Sequence, residues 1–181
     1  MADRPDDIEG GRRGEGRPGA PGRRTAARLA AVQALYQMEL SGATAEAVIR
    51  EFDRHRLGQE IDGTRYAEAD RTLFADLVRG VSAERDELDR LLGTALSAEW
   101  PVERLETVLR AILRAGTYEL LRRAEVPPRV VINEYVGVAD AFFGDKETGL
   151  VNGVLDRLAR TLRPTEMGSA KRDGDGATPS R

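Results

Sequence analysis

The chain has 181 residues, enough for one domain with flexible ends or two small ones, and enough to bury a core without help from a cofactor. It contains no cysteine, which excludes disulfides and thiolate-held metal centres and leaves the cytoplasm as the expected location. The formal net charge of -3 conceals an asymmetry: residues 11–28 hold six arginines against Glu15 alone, so that segment carries +5 and the remainder -8. A basic arm on an acidic body is the pattern of a protein that meets a polyanion at one end and something else, often a protein, at the other. The plainer reading is a solvated tail that aids solubility.

Residues 1–22 are rich in glycine, proline and arginine and nearly free of bulky apolar side chains, so a disordered arm is expected there. From Arg23 onward the apolar residues recur at steps of three and four, the helical period. The first helix is expected over Arg23 to Leu40, with Leu29, Val32, Tyr36 and Leu40 as its apolar side and Ser41-Gly42 as its stop. Thr44 can cap a second helix carrying Val48, Phe52 and Leu57. A long pattern follows from Tyr66 to Leu96, striped by Leu73, Leu77, Val81, Leu88 and Leu92, with Gly80 marking a bend or a close contact.

Trp100-Pro101 interrupts the chain, and the next helix carries Leu105, Val108, Leu109, Ile112, Gly116 and Leu120; Gly116 would let a neighbouring helix approach. Pro127-Pro128 stops that helix and opens another with Val131, Tyr135, Val138 and Phe142. The β-branched run "PRVVINEYV" does not alternate as a strand would, so it is read as helical. After Gly144-Asp145 a last helix bears Val151, Val154, Leu155, Leu158 and Leu162, and residues 164–181 are expected to form a second disordered tail. The body at residues 23–163 is therefore expected to be an all-α bundle of about six or seven helices. Tyr118, Tyr135, Phe142, Val151 and Leu155 are read as core. Asn133, Glu134 and Asn152 are read as polar groups tying helices together, and Glu119 with Arg114 as a pair within or between helices.

Signals for catalysis are weak. His55 is the only histidine, sits between Arg54 and Arg56, and has no partner at ligand spacing, so neither a metal site nor a nucleophile pair is expected. The glycines of "GGRRGEGRPGAPG" follow no strand and lack the closing G-K-[ST] of a phosphate loop. The positive signal is Arg23, Arg24 and Arg28, with Arg24 and Arg28 four apart on one helical face and Arg12, Arg13 and Arg17 upstream. Arginines so placed can grip phosphates and stack on unpaired bases. Cations at a helix start oppose the macrodipole, which argues for a ligand that repays that cost. If each of the three neutralises one phosphate of a single strand, log affinity should fall with log salt at a slope of about -2.

The segments "AVQALYQMEL" (31–40), "ILRAGTYELL" (112–121), "VPPRVVINEYVGVADAFF" (126–143) and "LVNGVLDRLA" (150–159) resemble, in order and spacing, those of the NusB family of bacterial transcription antitermination factors. The resemblance spans roughly Arg23 to Arg163. It implies an all-helical fold of two small subdomains, no enzymatic activity and no cofactor. It also implies binding of single-stranded boxA RNA in nascent transcripts, notably of ribosomal RNA operons. The implied partners are the ribosomal protein NusE, the other Nus factors and RNA polymerase, with read-through of terminators as the outcome. Carried onto this chain, it gives RNA-binding roles to Arg23, Arg24 and Arg28 and to the turn Lys146 to Leu150, and places Tyr36 near the surface for the ribosomal protein. Two positions depart from the family pattern. Leu150 stands where many members have phenylalanine, so an aromatic stacking contact is lost or replaced by a weaker apolar one. Gly149 stands where some members carry a cation, leaving Lys146 as the cation of that turn.

Two other function classes compete with this one. An RNA-docking module of a ribosomal RNA methyltransferase would need a methyl-donor-binding fold, for which the 181 residues leave no room. A purely protein-binding helical adaptor, which could pair with a second copy of itself, would make the basic arm incidental. No run of the chain approaches the roughly 18 uncharged residues of a membrane span, and no membrane partner is expected.

Overall fold

The computed structural model describes residues 22–58, 60–61, 64–65 and 69–168. Among the described residues eight α-helices carry the fold: α1 Arg23–Ser41, α2 Ala45–His55, α3 Arg71–Ala83, α4 Arg85–Ala95, α5 Thr107–Arg122, α6 Pro128–Asp140, α7 Asp145–Leu162 and α8 Pro164–Gly168. A 3-10 turn, Val102–Arg104, precedes α5. Between α2 and α3, β1 (Glu60–Ile61) and β2 (Thr64–Arg65) pair antiparallel with Glu60 opposite Arg65, an addition to the all-helical expectation too short to alter the class. The helices α1–α3 pack on one another, α4–α7 gather round α5, and α1 and α3 join the two groups by lying against α5.

Local chemistry explains the boundaries. Gly42, at φ 69°, closes α1 in the left-handed conformation while its N–H reaches the Met38 carbonyl. Thr44 then caps α2, its Oγ1 accepting from the Ala47 N–H at 3.3 Å, and Val48, Phe52 and Leu57 are buried as expected. The long pattern after residue 70 divides at Glu84, whose backbone leaves the helical region between α3 and α4; its beginning at residues 66–68 lies outside the described residues. Gly80 marks contact, since a Cβ there would stand 2.1 Å from Cζ of Tyr118. Gly116 does the same for α7: a Cβ would meet Leu155 at 2.8 Å. The run "PRVVINEYV" is helical in α6, with Pro128 in its first turn.

Several expectations are corrected. The buried side of α1 is built from Ala26, Ala27, Ala30, Ala31 and Ala34 with Val32 and Leu35, whereas Tyr36 and Leu40 are exposed. Alanines let α1 lie close to α3 and α5, and that narrow gap has no room for a stripe of larger side chains. Phe142 is exposed rather than core, because it falls beyond the end of α6. Asn133 and Asn152 face outward and tie no helices together. Arg114 pairs with Asp89 and Glu39, not with Glu119. Pro164–Gly168, expected in the tail, forms α8, because Met167 finds an apolar site and Arg163 folds over it. Residues 1–21 and 169–181, including Arg12, Arg13 and Arg17, lie outside the described residues.

The centre of the molecule is α5, buried continuously from Leu109 to Leu120. A helix enclosed on all sides must pair its charges internally. Arg110 donates to the Leu105 carbonyl at 2.8 Å and pairs with Glu39; Arg114 takes Asp89 through two hydrogen bonds, at 2.7 and 2.8 Å.

Candidate nucleic-acid interface

The start of α1 separates its arginines into two kinds. Gly22 supplies no side-chain cap and the first turn holds no acidic residue, so the positive end of the helix is left to Arg23 and Arg24. Both are exposed. The backbone beneath them is pinned, because the Asp70 N–H donates to the Arg23 carbonyl at 3.0 Å while the Asp70 side chain caps α3 at Leu73. Arg24 Nε lies 4.0 Å from Asp70 Oδ2, a long and solvated contact that leaves the guanidinium able to turn elsewhere.

Arg28, one turn on, is buried. Its Nε and Nη2 donate to the two carboxylate oxygens of Glu119 at 2.8 and 2.9 Å, and Nη1 stands 3.2 Å from Glu134. Tyr135 donates its hydroxyl to Glu119 at 2.6 Å, and Thr25 donates to Glu134 at 2.9 Å. Burial by itself would pull the Arg28 pKa down; the hydrogen bonds and charge of Glu119 outweigh it and hold the guanidinium above its usual range. Burial first, and then the charge of Glu119, raises the Tyr135 hydroxyl well above the ordinary tyrosine value. Arg28, expected beside Arg23 and Arg24 on an open face, is therefore enclosed and paired within the fold. The spacing does set Arg24 and Arg28 on one face, but α5 and α6 cover that face at Arg28 and leave Arg24 uncovered.

The expected second site, Lys146 to Leu150, forms the first turns of α7. Asp145 and Glu147 suit the positive helix end there. Lys146 is exposed and holds its Nζ 5.6 Å from the ring centre of Trp100, itself half exposed. With Arg104, Leu105, Glu106, Leu109, Glu147 and Leu150 these residues line a cleft of about 510 Å³. In the sequence Trp100 marks a break before Pro101, and its isolation in a polar, helix-breaking stretch is the signal that it faces out. The structure does not bring this cleft together with Arg23 and Arg24. Since Arg28 meets Glu119 and Glu39 meets Arg110, α1 and α5 run antiparallel, and the cleft lies at the far end of α1. Fifteen residues from Arg24 to Glu39 separate the two levels by roughly 22 Å, about six nucleotides of a stacked strand.

Tyr36 projects into a groove with Val32, Leu40, Arg56, Val108 and Phe142. Of the five exposed large apolar side chains among the described residues, Tyr36, Leu40 and Phe142 line this groove, which makes it a candidate contact surface. Val108 borders the groove and Leu109 the Trp100 cleft, so the two are neighbours across the beginning of α5. His55 is exposed, and no group of three metal-ligating side chains comes together among the described residues. No helix among them is long and apolar enough to cross a membrane.

Comparison with known proteins identifies the family and the fold. The NusB family model matches residues 25–160. The transcription antitermination protein NusB of Bradyrhizobium sp. (strain BTAi1) is 53% identical over 146 residues, covering 81% of this chain and 86% of that protein. The protein of the same name from Sinorhizobium fredii is 54% identical, covering 77% and 88%. Among solved structures, NusB of T. maritima superposes with a TM-score of 0.66 at 30% identity over 80% of this chain and 95% of that one. A crystal structure of antitermination factors NusB and NusE in complex with dsRNA shares the fold with a TM-score of 0.62 at 23% identity, over 76% of this chain and 96% of that one. With a family model covering most of the described helices and relatives more than half identical over that length, the chain belongs to the NusB family.

Proposed function

We propose that the protein is a non-catalytic RNA-binding adaptor. It holds single-stranded boxA RNA of nascent transcripts, notably of ribosomal RNA operons, together with the ribosomal protein NusE, and with the other Nus factors it lets RNA polymerase read through terminators. The observation that carries this reading is the pair of exposed arginines, Arg23 and Arg24, at an uncapped helix start in a chain 53% identical to a transcription antitermination protein. A strand needs several anchor points, and Lys146 with Leu150 at the other end of α1 would supply the second. The apolar groove at Tyr36 offers the protein partner a surface beside that second anchor, so RNA and NusE would meet on one side of the molecule. The shared fold of the NusB–NusE–dsRNA structure supports the pairing of these two ligands.

The test is a titration of labelled boxA-type single strand, its scrambled sequence and its duplex, with and without NusE, at several salt concentrations. Binding of boxA over scrambled strand, tightened by NusE, is the expected result; equal binding of all three would reduce the protein to a general polyanion binder. Tyr36→Asp places a charge in the groove and is expected to weaken NusE binding at least tenfold by calorimetry, leaving RNA binding by the protein alone unchanged. An unaltered dissociation constant would move the partner to another face.

A further inference from the structure

A half-exposed tryptophan beside a cleft is an expense that a stable core does not require. Trp100 precedes the 3-10 turn, outside the α-helices, and the exposed ammonium of Lys146 stands 5.6 Å from its ring centre. The cleft it borders falls within the size range of small-ligand sites. Its floor is apolar, from Leu105, Leu109 and Leu150, and its rim is charge-balanced, with Arg104 and Lys146 facing Glu106 and Glu147. Two carboxylates at the rim repel a phosphate. A flat, uncharged ring with polar edges suits the same surroundings: it stacks on the indole, rests on the leucines, and finds both donors and acceptors at its margin.

We infer that Trp100 is a nucleobase-stacking residue, and that an unpaired base of the bound RNA enters the cleft between the indole and Leu150. Resting on the RNA binding proposed above, this gives the turn at Lys146 to Leu150 an aromatic partner from a different part of the chain. In the free protein Lys146 occupies the ring face. The entering base displaces it, since stacking on an indole outweighs an exposed cation–π contact, and the released ammonium is then free to meet the phosphate next to that base.

Trp100 is the sole tryptophan, so its fluorescence reports on the cleft directly. A fluorescein-labelled boxA-type twelve-nucleotide strand is titrated by anisotropy, and the unlabelled strand by tryptophan emission, alongside strands carrying one abasic position moved along the sequence. The expected results are quenching of Trp100 on binding, one abasic position that abolishes the quenching, and an affinity about tenfold lower for Trp100→Ala. Trp100→Phe is expected to recover most of that loss and Trp100→Leu little of it, a difference that burial alone would not produce. Because the side chain is half exposed, all three variants should melt with the wild type. If the strand binds in a manner dependent on Arg23 and Arg24 while emission stays constant and Trp100→Ala binds as tightly as wild type, the stacking role is overturned and RNA binding stands. If emission responds to NusE and not to RNA, the cleft holds a protein side chain and the inference is likewise overturned. If no strand binds at low salt, the RNA-binding reading fails and takes this one with it.

Discussion

The two ends of α1 use arginine in opposite ways. At its beginning, Arg23 and Arg24 stand in solvent over a backbone pinned by Asp70, while Arg28 is enclosed with Glu119, Glu134 and Tyr135. At its other end, Arg110 and Arg114 are enclosed with Glu39 and Asp89, and what faces solvent is apolar: Tyr36, Leu40, Phe142 and the Trp100 cleft. Arginine abundance is therefore a poor guide to where a polyanion binds in this chain. Many of its guanidiniums are clamps. Arg163 ties the carbonyls of Ala124 and Val126 at 2.9 and 2.7 Å, and Arg157 holds the Ala95 carbonyl at 2.9 Å, closing the end of α4. An enclosed guanidinium offers fixed donors to fixed acceptors, whereas an exposed one keeps its charge available to a mobile ligand.

The largest effect expected from this contrast is on stability. Glu119→Ala leaves the Arg28 charge buried without its main partner and should cost about 3–5 kcal/mol in denaturant unfolding. Arg28→Met with Glu119→Gln removes both charges and keeps an acceptor for the Tyr135 hydroxyl. That double variant should be more stable than Glu119→Ala and should bind RNA with the affinity and salt slope of the wild type. A reduced slope in the double variant would return Arg28 to the interface.

Next in size is the effect of the exposed pair. With Arg28 removed from the phosphate contacts, the contribution of α1 to the salt slope becomes about -1.4 rather than -2, at roughly -0.7 per contact. Arg23→Ala with Arg24→Ala should flatten the slope by that amount and leave the melting temperature within a few degrees, because neither side chain is buried. A slope unchanged by the double substitution would place the phosphates elsewhere.

The smallest effect is on alkaline stability. The folded state holds the Tyr135 proton more tightly than the unfolded chain does, so its contribution is complete below the ordinary tyrosine pKa and is lost as pH rises beyond about 10. Unfolding free energy measured from pH 8 to 11 should therefore fall more steeply for the wild type than for Tyr135→Phe. At pH 8 the variant should be weaker by about 1–3 kcal/mol, since Glu119 loses a donor.

Helical periodicity made the class legible, with α1, α2, α5, α6 and α7 each as a pattern of its own and α3 with α4 as one, together with the cap at Thr44, the entry at Pro128 and the close contacts at Gly80 and Gly116. Tyr118, Tyr135, Val151 and Leu155 were likewise recognisable as core. Less visible were the division at Glu84 and the buried alanine side of α1. A 3.6-residue period continues through a one-residue joint, and alanine registers weakly beside leucine and tyrosine in any apolar pattern. The start of α1 was readable as a candidate site, whereas the second candidate site was half readable: Lys146 and Leu150 lie in a single turn of sequence, but Trp100, which borders the same cleft, comes from 46 residues before Lys146.

What the sequence by itself determined is whatever depends on neighbours along the chain: the helical period, the turn and cap residues, and the cluster of cations ahead of the first helix. The tertiary structure alone decided which of those cations meets solvent. Arg24 and Arg28 are the same residue type on the same face of one helix, and only the reach of α5 and α6 differs between them. A charge is a ligand-binding group or a structural one according to whether a distant carboxylate such as Glu119, 91 residues away in sequence, is folded against it. Because burying a charge is costly without such a partner, the fold settles that choice and a local reading of the chain does not contain it.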